Sequence, residues 1–218
     1  MKSPIWLAAA FTLIGFLGCS EPVEQTVASA KPATTRLVGI GVSCTAFSVG
    51  DSIFITSAHC LKDQPLVWLE DQEQDSHIAE PVVIDVEKDI ATVIMLNGFG
   101  GPALKISQAD PQRGQQIVTV GYPAYYGLSL LFEVDYVKDL VLMDGVATII
   151  AGKFAYSGYS GGPVLLTSTG EVVGVLMGAN EQIRKLPEDT HQHESLSFII
   201  GAPEIQDVLA RTQELLNK

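Results

Sequence analysis

Basic residues are scarce in this chain: 13 lysines and arginines stand against 25 acidic residues over 218 positions, a formal net charge of −12. No basic run occurs anywhere along it. Such a chain repels nucleic acid and anionic membrane surfaces, so no nucleic-acid partner is expected and the charge serves solubility. Charged residues make up only 17% and hydrophobic ones 47%, which excludes a disordered chain and leaves enough apolar surface for a sizeable core. The length fits one or two compact domains. There is no internal repeat. Cysteine is sparse as well, three in all, an odd number that cannot be consumed entirely in internal disulfides.

What is present begins with a leader. Lys2 supplies a short positive start, residues 5–17 are almost wholly apolar, and small residues follow. This pattern marks residues 1–18 as a secretory signal, too short for a comfortable transmembrane span; an uncleaved anchor helix is the alternative. The segment ends Phe16-Leu17-Gly18-Cys19, which resembles a bacterial lipobox, with Phe16 where leucine is usual. That resemblance implies lipidation of Cys19, ordinary signal-peptidase cleavage being the competing reading. Residues 20–36, rich in Pro, Ala, Thr and Ser without a hydrophobic period, read as a flexible tether. The expected location is therefore the cell envelope, with a lipid anchor in the membrane. Ser20 is not aspartate, so the resemblance to Gram-negative lipoproteins points to the outer membrane, facing the periplasm.

From residue 37 to 218 the chain reads as a single domain of short β-branched runs separated by turn residues. Strands are expected over 45–49, 52–56, 82–85, 90–96, 116–120, 131–137, 146–151, 163–166, 172–177 and 196–200. Many short strands at this spacing argue for a sandwich or barrel. One helix is expected after Pro203, with Ile205, Val208, Leu209, Leu215 and Leu216 mostly on one packed face.

Three stretches carry chemistry, in the order Thr56-Ser57-Ala58-His59-Cys60, Lys88-Asp89-Ile90-Ala91 and Gly158-Tyr159-Ser160-Gly161-Gly162-Pro163. A serine hydroxyl is a weak nucleophile and needs a neighbouring base to take its proton. Histidine suits this, because its proton affinity lies near neutrality. A carboxylate then holds the imidazole in the right tautomer, and backbone N–H groups receive the developing oxyanion. Glycines flanking Ser160 allow a turn that points those N–H groups inward. His59 follows the apolar run IFIT and Asp89 precedes IATVIML, so both are expected at strand ends. Asp85 and Asp75 are competing carboxylates.

TSAHC and GYSGGP together resemble the signature motifs of trypsin-like (chymotrypsin-fold) serine proteases. QIVTVGYP at 116–123 and SFII at 197–200 bring the chain nearer to HtrA-like bacterial proteases, with no PDZ domain expected. The resemblance implies an all-β domain of two six-stranded antiparallel β-barrels with a C-terminal helix. It implies His59 as general base, Asp89 as orienting acid and Ser160 as nucleophile, with the N–H groups of Gly158 and Ser160 as oxyanion hole. It also implies a Cys44–Cys60 disulfide beside the histidine, with no cofactor and no metal. The specificity pocket would have Phe154 at its floor and Met177, Ala179 and Ser197 among its walls. No carboxylate lines it, so small or medium apolar side chains are expected there.

Two departures stand out. Tyr159 occupies the position where digestive proteases have aspartate and HtrA-like enzymes asparagine, and Met177 replaces a residue that often supports the catalytic aspartate. His77, His191 and His193 read as loop histidines. The pair at 191 and 193 lacks the further ligands of a metal site. The function read from the sequence is a serine endopeptidase acting on exported or misfolded proteins. The alternatives are a catalytically inactive binding module on the same scaffold and, more weakly, an esterase.

Overall fold

The structure is a computed structural model and describes residues 22–127, 129–152, 156–185 and 191–218. Cys19 and Phe154 lie outside these residues, as do the side chains of His191 and His193.

The first half is a closed barrel of β1 (Thr34–Gly39), β2 (Val42–Gly50), β3 (Ile53–Thr56), β4 (Val67–Glu70), β5 (Ser76–Asp85) and β6 (Ile90–Met95), in the order β1-β2-β3-β6-β5-β4. β3 explains the unbroken apolar run: both its faces are buried. Phe54 points into the barrel, while Ile55 joins Phe47 in a cluster that extends into the second half. The β2–β3 turn places Gly50, Asp51 and Ser52 at positive φ. β1, β4 and the first part of β5 escape the sequence reading because they mix polar and apolar residues and bury only part of each.

The second half is a seven-stranded sheet, where a six-stranded barrel is expected from the sequence. Its strands are β7 (Gln116–Gly121), β8 (Leu131–Tyr136), β9 (Asp139–Met143), β10 (Val146–Ala151), β11 (Pro163–Leu166), β12 (Val172–Lys185) and β13 (His191–Gly201). Their order is β8-β7-β11-β12-β13-β10-β9. The two edge strands are consecutive in the chain and meet at a bend. There Val137 N–H donates to Gln115 O at 2.9 Å and Lys138 N–H to Ile150 O at 2.8 Å, so the bend bonds to both edges. The extra strand thus arises from one run of chain broken in two. β12 and β13 continue as a hairpin well past the expected limits of 177 and 196, through polar residues that carry no burial signal.

Residues 20–36 are not an unstructured tether throughout. Pro22–Ala30 forms helix α1, a single 3₁₀ turn covers Lys31–Ala33, and β1 follows directly. Val27, Ala30 and Ala33 are buried in the cluster that joins both halves, and Thr26 Oγ1 donates to Thr167 O at 3.4 Å. Polarity hid this helix, since only one face of it is buried. The C-terminal helix α2 (Ala202–Leu216) covers the same seam with Ile205 and Val208. Leu215 and Leu216, expected on the packed face, are about half exposed at 50% and 46%; Thr212 is buried instead. His77, His191 and His193 lie in strands rather than loops, His77 pairing with Asp71 at 3.4 Å.

Candidate active site

His59 and Asp89 come from the first half. β3 ends at Thr56 and a single 3₁₀ turn, Ala58–Leu61, carries His59. The Cys44–Cys60 disulfide, S–S 2.04 Å, fastens that turn to β2. Cys60 thus lies in the turn after β3 and not on the strand itself. Asp89 closes the β5–β6 turn at φ 51°, in the left-handed region that aspartate tolerates better than most residues.

The Asp89 carboxylate accepts the His59 backbone N–H at 2.8 Å and faces His59 Nδ1 at 2.8 and 3.0 Å. An ionised carboxylate only accepts, so it fixes the ring proton on Nδ1 and leaves Nε2 as the basic nitrogen. Asp85, the competing carboxylate, bonds Arg211 Nη1 at 2.6 Å instead.

Ser160 comes from the second half, on the turn before β11. Gly158 (φ 98°) and Gly161 (φ 84°) make that turn possible: a Cβ at either would collide with backbone, at Tyr122 O and Thr45 O respectively. Among the described residues the N–H groups of Gly158 and Ser160 meet no hydrogen-bond acceptor, as suits a pair held for an incoming oxyanion. The Ser160 hydroxyl donates to Met177 O at 3.2 Å, not to His59.

Thr45 escaped the sequence reading. Its N–H donates to Ser160 O at 2.9 Å, its hydroxyl donates to Gly158 O at 2.7 Å, and that hydroxyl accepts Tyr122 N–H at 3.0 Å. Thr56 and Ser57 complete the lock: Thr56 Oγ1 donates to Thr45 O at 2.8 Å and Ser57 Oγ to Leu176 O at 3.2 Å. The signal was within reach, since Thr56 and Ser57 belong to the TSAHC motif and Thr45 follows Cys44.

An apolar cleft of about 540 Å³ opens beside His59 and Asp89, lined by Leu61, Ile84, Val86 and Met177 among others. Of the expected specificity walls, Ala179 pairs with Ser197 across β12 and β13, and Ser197 pairs with Ala151 of β10. Asp135, on the inward side of β8, rests its carboxylate against Gly152, two residues before the expected floor residue Phe154. Tyr159 is fully buried in the second half, its hydroxyl meets no hydrogen-bond partner among the described residues, and burial pushes that hydroxyl's pKa well above the ordinary tyrosine range. Among the described residues, Cys44, His59 and Cys60 form a metal-ligand-like cluster, but both sulfurs are consumed in the disulfide.

The model of the trypsin-like peptidase domain matches residues 44–175. The chain belongs to the trypsin-like peptidase family. Membership makes it a serine endopeptidase by class, with protein or peptide substrates. The peptidase is similar in fold to the Rv3671c protease of M. tuberculosis in its active form, 17% identical with a TM-score of 0.72, over 97% of this chain and 94% of that one. An inactive form of that protease is 19% identical with a TM-score of 0.70, over 86% and 92%. The serine endoprotease of Yersinia pestis is 18% identical with a TM-score of 0.70, over 87% of this chain and 65% of that one. No curated protein matches the peptidase by sequence.

Proposed function

We propose that the peptidase hydrolyses peptide bonds of exported or misfolded proteins through a triad of His59, Asp89 and Ser160. The observation that carries the reading is the Asp89 carboxylate held on His59 Nδ1 at 2.8 Å, with the Ser160 turn bonded across the seam by Thr45. In the reaction the Ser160 hydroxyl turns from Met177 O toward His59 Nε2 when substrate binds. Nε2 takes the hydroxyl proton as Oγ attacks the scissile carbonyl carbon. The resulting oxyanion enters the N–H groups of Gly158 and Ser160. His59 then gives its proton to the leaving amine, and water repeats the cycle on the acyl-enzyme.

The Ser160–Met177 hydrogen bond is also what an inactive binding module would keep. A fluorophosphonate separates the two readings, since it phosphonylates only a serine with a working base. Covalent labelling of the wild type at Ser160 is the expected result; a wild type inert to the reagent refutes the triad.

The pocket walls Met177, Ala179 and Ser197, with Phe154 as floor, favour small or medium apolar side chains at the cleaved bond. Peptide-library profiling tests this, and strict cleavage after lysine or arginine would assign the floor carboxylate to Asp135. We also propose export to the cell envelope with Cys19 as lipid anchor. Cys19→Ala should release soluble protein or block processing; unchanged membrane retention and size would refute the anchor.

A further inference from the structure

The turn that carries Asp89 is held from outside the barrel. Lys88, its neighbour, reaches α2 with Nζ 2.7 Å from Glu204 Oε2 and 2.9 Å from Asp207 Oδ2. Asp85, at the other end of the turn, accepts the Lys88 backbone N–H at 3.1 Å and pairs with Arg211 Nη1 at 2.6 Å. Arg211 also lies 3.6 Å from Asp207, one helical turn back. The five charges thus form one connected network with both ends of the turn bonded to the helix.

Part-exposed ion pairs contribute little to global stability, so a network spent on one short turn acts locally. Asp89 needs such help. Its φ of 51° is a conformation the chain does not prefer, and the side chain at Met177 offers its carboxylate no hydrogen bond. We propose that α2 is a positioning element of the active site, its network of Glu204, Asp207 and Arg211 with Asp85 and Lys88 holding Asp89 in register with His59. This rests on the triad reading above. The pairing is reflected in acidity. The Glu204 and Asp207 hydrogen bonds raise the Lys88 pKa. Burial pushes Asp85 upward, but Arg211 and the Lys88 N–H outweigh it and leave that carboxyl below its usual value.

The network and the helix's packing can be separated. Arg211→Gln and the double variant Glu204→Gln/Asp207→Asn remove charge at nearly constant shape, the glutamine keeping an acceptor for Ala147 N–H. Thr212→Val instead removes an uncharged helix contact outside the network, the 2.7 Å hydroxyl bond to Thr92. Labelling by a fluorophosphonate is followed at increasing reagent concentration, beside the thermal midpoint. Both charge variants should lower the maximal labelling rate about 10- to 100-fold with the half-saturating concentration unchanged, the scale set by small misplacements of reacting groups. Arg211→Lys should restore most of that rate, and the low-field proton signal of the His59–Asp89 bond should weaken only in the charge variants. Thr212→Val should lower the midpoint and label at the wild-type rate. Charge variants that label as fast as the wild type would overturn the proposal. A wild type that does not label overturns the triad itself, a distinguishable failure.

Discussion

In the first half, His59 and Asp89 sit on short turns between strands of a closed barrel, fastened by a disulfide and bonded directly to each other. In the second half, Ser160 sits on a glycine turn at a seven-stranded sheet. Its hold is divided: Gly161 N–H donates to Leu176 O at 2.8 Å within that half, while Thr45 of the first half binds both Ser160 and Gly158. His59 is fastened within its own half, Asp89 is held by that half together with α2, and the Ser160 turn is bonded from both halves. On the proposed triad, catalytic alignment in the peptidase is therefore a property of the seam, and this is where α1 and α2 both pack.

Substitutions at the reacting groups test the comparison most severely. Ser160→Ala and His59→Ala should each reduce turnover roughly 10⁴- to 10⁶-fold with the fold intact, since members of a triad act as a unit. Asp89→Asn should cost about 10⁴-fold through the wrong imidazole tautomer. Peptide hydrolysis with circular dichroism checks all three. An active Asp89→Asn beside an inert Asp85→Asn would move the acid.

Breaking the disulfide should loosen the first half. The bridge closes a separation of 16 residues, so Cys44→Ala/Cys60→Ala should cost about 3 kcal/mol in denaturant unfolding. Loss confined to activity, with stability unchanged, would mean the bridge serves only His59.

Thr45→Val probes the seam directly. It leaves Gly158 O and Tyr122 N–H without their buried partner, at about 1–3 kcal/mol in stability. Fluorophosphonate labelling should slow about 10-fold or more as the Ser160 turn shifts. Wild-type labelling by this variant would show that the second half holds its nucleophile unaided.

The smallest effect is expected within the second half. Tyr159→Phe removes a buried hydroxyl that has no partner among the described residues and keeps the ring, so it should leave activity alone and stabilise by about 1 kcal/mol. A destabilised Tyr159→Phe, measured by thermal unfolding, would reveal a partner for that hydroxyl.

The legible parts of the molecule were those with dense local signal. IFIT and IATVIML named β3 and β6 because these strands are buried on both or nearly both faces. TSAHC and GYSGGP named His59 and Ser160 because tight turns and a nucleophile demand particular residues. α1, β1, β4 and the long arms of β12 and β13 were lost because their polar faces dilute periodicity below recognition. Thr45 was lost for another reason: a threonine in a strand looks like any β-former until its partner, 113 positions away, is known.

The sequence by itself indicated the class of the domain and, through the family resemblance of TSAHC and GYSGGP, the candidate groups His59 and Ser160 and the pairing of Cys44 with Cys60, because those short motifs demand particular residue types. Only the tertiary structure decided which aspartate faces His59, how Thr45 holds the Ser160 turn, and that α2 reaches the turn beneath Asp89. Those choices depend on which atoms meet across the seam. Such contacts are set by the packing of elements far apart in the chain, which no local pattern records.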